Sequence, residues 1–327
     1  MLNPPSRYNQ GVNFPDFQIT SKWIRSQRGL KNAVDPKKPY AFLVEKERLL
    51  TGEVEDVATI FLTNRECPFT CLMCDLWKNT TDITVASGSI PAQIEFALSR
   101  LPTVKHIKLY NSGNFFDSKA IPPSDYPAII SLLRGFETVL VENHPKLISR
   151  DILDFRDKLH GNLQIAMGLE TAHPEVLKML NKSMTLDDFS QACVFLNSNS
   201  ILVRTFILLR PPFLNEEEGI LWAERSIDFS FHNGVECCVV IPTRPGNGAL
   251  DALAREQFFQ PPFLSSLEEV QSYGISLNRG RVFADLWDLE QFSHCPQCFQ
   301  QRLHRMHRMN IEQTSIPQVF CPACHSK

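Results

Sequence analysis

From about residue 55 onwards, short apolar runs rich in β-branched residues alternate with stretches in which apolar residues recur every three or four positions. The runs predict buried strands and the stretches predict amphipathic helices. The predicted strands are 57–62, 104–110, 138–141, 163–169, 202–209 and 235–241. The predicted helices are 91–101, 126–134, 150–159, 174–197 and 216–231. This alternation predicts an α/β fold with a parallel sheet, a partial (βα)6 TIM-like barrel whose chemistry gathers at the carboxyl ends of the strands.

The same pattern divides the chain into three parts. Residues 1–50 show weak periodicity and many lysines and arginines. We expect this N-terminal extension to pack partly on the rest of the chain through Trp23 and the apolar residues 40–44. Residues 51–250 hold the alternating elements and are expected to form the core domain. Residues 251–327 form a C-terminal segment with a cysteine-rich end.

Composition narrows the class of protein. With 43% hydrophobic and 21% charged residues among 327, the chain is typical of a globular protein. A net charge of −3 excludes a polycation that coats nucleic acid, but it allows a local basic patch. No apolar run is long enough to cross a bilayer, and the first ten residues lack the pattern of a signal peptide. We therefore expect a cytoplasmic protein without a membrane partner.

Seven of the ten cysteines fall into two groups, which favours metal binding over disulfides in a cytoplasmic chain. Cys67, Cys71 and Cys74 directly follow the first strand of the predicted core. Three thiolates at these spacings can ligate three irons of a [4Fe-4S] cluster and leave the fourth iron free to chelate a small molecule. The alternatives are a zinc site, for which no fourth ligand is evident nearby, and three incidental thiols.

The CxxxCxxC spacing, placed after the first strand of a βα array, resembles that of the radical S-adenosylmethionine superfamily. The resemblance implies reductive cleavage of S-adenosylmethionine to a 5′-deoxyadenosyl radical, with an electron donor such as ferredoxin or flavodoxin as partner. It also implies that the backbone at Met73 meets the adenine. Asn111 and Gly113, after the second core strand, stand where the superfamily binds the amino group of the methionine moiety.

Four further residues are candidates for binding S-adenosylmethionine. Glu142 and Glu170 end successive predicted strands, where carboxylates suit a ribose, an amino group or the substrate. Arg204 lies inside an apolar strand and needs a partner if it is buried. That partner is either the methionine carboxylate or, in a structural salt bridge, Glu170. The backbone near Ile241, after the sixth strand, is a candidate contact for adenine.

The chain ends in two CPxC pairs that are separated by 22 residues. Each pair presents two thiolates to one tetrahedral ion, so the spacing predicts a four-cysteine zinc knuckle appended to the barrel. A second iron–sulfur cluster is the alternative occupant. The predicted ligands are Cys295, Cys298, Cys321 and Cys324.

Basic residues recur between the two CPxC pairs. On one helix face they would bind phosphates, whereas the alternative is a solvated charged turn. These residues are Arg302, His304, Arg305, His307 and Arg308.

The order of landmarks over residues 55–325 resembles one branch of the superfamily, that with an Elongator-catalytic-subunit-like core, and within it the archaeosine-synthase radical subunit. The segments that carry this resemblance read VENHP, RPPF and PTRPGNG, followed by the terminal CPxC pairs. The resemblance implies a nucleoside in tRNA or other RNA as the substrate. Two alternatives are a radical enzyme that acts on a small molecule or peptide, and a non-catalytic iron–sulfur regulatory protein.

Overall fold

The structure is a computed structural model that describes residues 12–325. Its eight strands are β1 (Ala41–Arg48), β2 (Val54–Phe61), β3 (His106–Tyr110), β4 (Thr138–Glu142), β5 (Asn162–Glu170), β6 (Leu202–Leu209), β7 (Cys237–Pro242) and β8 (Arg281–Ala284). Its α-helices are α1 (Ser21–Ser26), α2 (Ser89–Leu98), α3 (Tyr126–Leu132), α4 (Asp151–Arg156), α5 (Pro174–Met179), α6 (Leu186–Ser198), α7 (Glu216–His232), α8 (Ala249–Arg255), α9 (Leu264–Ser276), α10 (Pro296–Glu312) and α11 (Pro322–His325). Short 3-10 helices lie at Leu76–Asn79, Pro123–Asp125, Pro145–Leu147 and Leu289–Phe292. Among the helices of these residues, none combines the length and hydropathy needed to cross a bilayer.

All eight strands form one sheet in the order in which they occur along the chain. Strands β2 to β8 are parallel to one another, and β1 pairs antiparallel with β2. Helices connect the parallel strands, so the predicted partial α/β barrel is confirmed. The sheet is wider than the six predicted strands, because β1 and β8 extend it by one strand at each edge.

Successive strand residues face opposite sides of the sheet. The side that faces the helices is a continuous apolar core, in which Ile60, Leu109 and Val141 are fully buried. The neighbouring positions Lys108 and Tyr110 face the interior of the barrel instead and belong to neither apolar core. The interior is therefore the place where polar and aromatic side chains collect.

An interior ion network closes the half-barrel at the amino ends of its strands. Glu47 of β1 forms ion pairs with Lys108 of β3, Arg204 of β6 and Arg281 of β8. Arg281 also binds Glu236, with 2.7 Å between Nη2 and Oε2. Because these residues come from opposite parts of the sheet, the network joins the two edges of the barrel across its interior.

The N-terminal segment (residues 12–32) lies across the carboxyl ends of the strands. Ile24 of α1 is buried in a second apolar core together with Leu72 of the cysteine loop. Phe14 contacts Phe213 at 5.4 Å between ring centroids. The segment therefore packs directly against the loop that carries the clustered cysteines.

Candidate active site

The clustered cysteines lie in the loop between β2 and the 3-10 helix Leu76–Asn79. Two backbone groups of this loop are held from outside it. The amide of Leu72 donates to the carbonyl oxygen of Leu180 at 2.9 Å, and the side chain of Asn247 donates to the carbonyl oxygen of Leu72 at 2.8 Å. The loops after β5 and β7 therefore position the cysteine loop.

Burial raises the pKa of the three loop thiols, to about 11 for Cys67 and about 12 for Cys71 and Cys74. Neutral thiols are poor nucleophiles, whereas a bound metal deprotonates them outright. The donor set therefore suits metal ligation rather than nucleophilic catalysis. Three thiols in one loop can each ligate a separate iron of one cluster.

The turn after β3 contacts the cysteine loop through Gly113. A Cβ atom at this glycine would lie 3.0 Å from Cβ and 3.3 Å from Sγ of Cys67. Only a residue without a side chain lets the backbone approach the thiol this closely. The structure thus brings together Gly113 and Cys67, which were predicted from the ends of separate strands.

Glu142, at the end of β4, organises the same turn. Its Oε2 accepts a hydrogen bond from the amide of Asn111 at 2.7 Å, and the amides of Ser112 and Gly113 also donate to the carboxyl group. Burial nevertheless raises the pKa of Glu142 to about 7. The carboxyl group that was predicted to bind S-adenosylmethionine is therefore engaged by the backbone of its neighbouring turn.

Glu170, at the end of β5, forms a buried ion pair with Lys182, with 2.6 Å between Oε1 and Nζ. A Cβ atom at Gly168 would collide with both charged groups, so this glycine makes room for the pair. The ammonium of Lys182 also lowers the pKa of Cys71, against the larger effect of burial. Sequence reasoning missed Lys182, because a loop lysine is usually solvated.

His144 braces the cysteine loop from the end of β4. Its ring stacks on Phe69 at 3.8 Å between centroids, and its Nε2 lies 3.0 Å from the carbonyl oxygen of Lys182. Its Nδ1 accepts from the amide of Lys146, and burial lowers the pKa of His144 to about 3. The imidazole is therefore neutral, with its proton on Nε2.

Arg204 is not at this site. It lies in the amino half of β6, about 16 Å from the end of the strand at a rise of about 3.3 Å per residue. Its partner is Glu47, so the alternative salt bridge between Arg204 and Glu170 is also wrong. Met73 and Ile241 both pack against the second apolar core beside the cysteine loop.

The N-terminal segment contributes charged contacts that the sequence did not indicate. Arg28 pairs with Glu66 at 2.6 Å and lies over the ring of Trp77 at 4.8 Å. Its charge also lowers the pKa of Cys71, although burial has the larger, opposite effect. The segment therefore places a cation next to the cysteine loop.

The four C-terminal cysteines form a compact group that could hold a metal ion. Their sulfur atoms all lie within 4.8 Å of one another, with 3.8 Å between Cys295 and Cys321 and 3.7 Å between Cys298 and Cys324. Cys295 immediately precedes α10, and the backbone amide of Cys298 lowers its pKa to about 7. Amides at a helix N-terminus stabilise a thiolate, as metal ligation requires.

The basic residues between these cysteines lie on α10 but do not form a free cationic face. Arg302 and Arg305 both pair with Glu268, and Arg305 is only 5% exposed. Arg308 pairs with Glu312 one turn further along the helix. The arginines therefore fasten α10 to α9 rather than presenting positive charge for phosphate.

Comparison with known proteins identifies distant relatives. No model of a known protein family matches the chain. It is 24% identical over 279 residues to an uncharacterized protein of Methanocaldococcus jannaschii, covering 80% of this chain and 76% of that one. It is 24% identical over 210 residues to archaeosine synthase subunit beta of Thermococcus kodakarensis, covering 61% of this chain and spanning only 64% of that relative.

Solved structures share the fold. The chain superimposes on methylornithine synthase with a TM-score of 0.51 and 14% identity, covering 92% of this chain and 82% of that one. The chain therefore shares its fold with methylornithine synthase, and its sequence is distantly similar to archaeosine synthase subunit beta.

Proposed function

We propose that this protein generates a 5′-deoxyadenosyl radical and uses it to modify a nucleoside in tRNA or other RNA. The observation that carries the chemistry is the half-buried cysteine triplet after the carboxyl end of β2, with backbone packed on Cys67. Homology to archaeosine synthase subunit beta supports a nucleoside substrate. A ferredoxin or flavodoxin is the proposed electron donor.

In this proposal Cys67, Cys71 and Cys74 hold a [4Fe-4S] cluster. When bound, the cluster and S-adenosylmethionine supply an electron transfer and a hydrogen-abstracting radical. The protein positions and shields these groups. Asn111, Gly113, Glu142 and Glu170 line the proposed binding site, as do Met73 and Ile241 through their backbone.

The experiment that tests the chemistry measures 5′-deoxyadenosine after anaerobically reconstituted, reduced protein meets S-adenosylmethionine. We expect the wild type to form this nucleoside and Cys71→Ala to abolish it. Cys193→Ala, in the buried face of α6, is the matched control and should retain the activity. A wild-type protein that holds a cluster but forms no 5′-deoxyadenosine would favour the non-catalytic alternative.

The RNA substrate is tested separately, by comparing the modified nucleosides in bulk tRNA from cells with and without the gene. We expect one modified nucleoside to disappear and its precursor to accumulate. Identical nucleoside profiles, together with normal 5′-deoxyadenosine formation, would favour a small molecule or peptide as the substrate.

We further propose that the C-terminal cysteines hold one zinc ion. A tetrahedron with Zn–S bonds of about 2.3 Å has edges of about 3.8 Å. The two short sulfur–sulfur distances in this group match that edge. Ligands of a cubane bind different irons and lie further apart, so the geometry favours a single ion over a second cluster.

A further inference from the structure

Four aromatic rings form a layer across the barrel interior. Phe61 of β2 lies 5.6 Å from Tyr110 of β3, and Tyr110 lies 6.2 Å from Phe206 of β6, measured between ring centroids. Tyr40, just before β1, lies 5.6 Å from Phe61. Strands β3 and β6 are not neighbours in the sheet, so the contact between Tyr110 and Phe206 spans the interior. We call these four rings the aromatic layer.

The layer separates two different environments. Tyr110 and Phe206 stand two residues beyond Lys108 and Arg204 on their strands, so the rings lie directly above the interior ion network. On the other side of the layer are the carboxyl ends of the strands: Phe61 and Tyr110 end β2 and β3, and the cysteine loop and the turn with Gly113 follow these two strands. The rings thus form a floor between the interior ion network and the cysteine loop.

This floor is accessible, unlike the core on the other face of the sheet. All four rings are half-buried, whereas Lys108 and Arg204 beneath them are only 5% and 3% exposed. None of the four belongs to either apolar core within residues 12–325. Aromatic side chains that keep part of their surface exposed leave apolar ring surface available for contact.

Two buried amides stand at the same carboxyl ends. Asn111 follows Tyr110, and Asn143 follows Glu142 at the end of β4. Both side chains are buried, and neither amide oxygen nor amide nitrogen has a hydrogen-bond partner among residues 12–325. A buried amide without partners is costly, and the donor–acceptor pair of an amide matches the edge of a nucleobase.

We propose that the aromatic layer is the platform on which a nucleobase of the substrate stacks, with Asn111 and Asn143 at its edges. The inference rests on the proposed function, whose substrate site it locates. Stacking of a base on aromatic side chains contributes about 1–3 kcal/mol, which corresponds to a 5- to 150-fold change in affinity.

The test uses the full-length, anaerobically reconstituted protein and measures binding of AMP, GMP, CMP and UMP by saturation-transfer NMR and titration, with ribose 5-phosphate as the base-free probe. We expect at least one nucleotide to bind through its base protons and ribose 5-phosphate not to bind. Tyr110→Leu and Phe206→Leu should each weaken that nucleotide at least 5-fold. Phe206→Tyr, which keeps a ring, should retain the affinity.

The matched control is Phe263→Leu, an exposed aromatic residue just before α9, which should leave nucleotide affinity unchanged. The affinity for S-adenosylmethionine is measured on the same variants. Nucleotide affinity that is unchanged in both leucine variants, or absent from the wild type, would overturn the inference. A parallel loss of S-adenosylmethionine affinity would overturn it too, since the layer would then serve the cofactor's adenine. Formation of 5′-deoxyadenosine by the wild type tests the proposed function independently of these outcomes.

Discussion

At the cysteine site, residues that were predicted to contact S-adenosylmethionine contact one another in the structure. Glu142 and Gly113 were each predicted as contacts for S-adenosylmethionine from the ends of different strands. In the structure the carboxyl group of Glu142 accepts hydrogen bonds from the backbone amides of the turn that contains Gly113. This glycine lies against Cys67. The carboxyl group of Glu142 therefore holds the turn in place, and the turn determines how closely the backbone approaches the thiol of Cys67.

Gly113→Ala should reduce cluster incorporation. The added methyl group would lie 3.0 Å from Cβ of Cys67, which forces the thiol or the turn to move. We expect a lower iron-to-protein ratio after anaerobic reconstitution, with the fold retained. Gly135→Ala is the control, because a Cβ atom there meets no other atom within 4 Å. Equal iron content in the two variants would contradict this prediction.

Glu142→Gln should change how stability depends on pH. Burial raises the pKa of Glu142 from 4.5 to about 7 in the folded protein. As pH rises from 4.5 to 7, the unfolded chain ionises first, so the wild type loses stability, by about 3 kcal/mol for a shift of this size. Glutamine cannot ionise, so the variant should not show this loss of stability.

The measurement is the free energy of urea unfolding at pH 5 and pH 8. The free energy of unfolding of Glu142→Gln should increase relative to that of the wild type between pH 5 and pH 8. That of the surface variant Glu137→Gln should not. A pH dependence that is identical in Glu142→Gln and the wild type would refute the argument.

Among the secondary-structure elements, α10 differs most from expectation. Its arginines were considered for phosphate binding, but Glu268 of α9 pairs with both Arg302 and Arg305. The buried side chains of Met306 and Met309 join it to the apolar core. The helix is thus anchored along its length, and the cysteine group at its start has to order only the residues that follow it.

Removal of the C-terminal metal should therefore have a local effect. A short segment without a core of its own depends on its metal for order. We expect Cys298→Ser to release one zinc per chain and to speed amide hydrogen exchange in residues 313–325, while the strands of the barrel keep their protection. Cys193→Ala should change neither quantity. Unchanged exchange in residues 313–325 would show that the metal does not order this segment.

At the scale of the whole molecule, the interior ion network connects the two edges of the barrel. Burial alone would raise the pKa of Glu47, but Arg204 and Lys108 hold that pKa well below its ordinary value. The carboxylate therefore stabilises the fold above its ordinary pKa, and this contribution is lost as pH falls towards the folded-state value. It joins β1 to strands β3, β6 and β8, so one side chain connects both edges of the barrel.

Glu47→Gln should destabilise the protein by about 3–5 kcal/mol at neutral pH, because it leaves buried cations without their counter-charge. Lys46→Gln is the control: it removes an exposed pair with Asp56, which contributes at most about 1 kcal/mol. The measurement is the midpoint of urea unfolding. A loss for Glu47→Gln no larger than that for Lys46→Gln would show that the network is not needed for closure.

Local signals in the chain were enough to predict the barrel and both cysteine groups. Apolar periodicity distinguishes strand from helix over a few residues, and the cysteine spacings encode how many thiols one loop can present. The positions of β1 and β8 at the two edges of the sheet were not predicted. Membership of a sheet depends on which edge is open, and that is a property of the assembled fold.

The partners of charged and aromatic side chains were decided by the tertiary structure. Arg204 was assigned to the ligand or to Glu170, yet it binds Glu47, which is 157 residues away in the chain. Lys182 gave no signal, because a lysine in a loop has the same local pattern whether it is solvated or buried. The curvature of the sheet brings such residues into contact, and this curvature cannot be predicted from the pattern of neighbouring residues in the sequence.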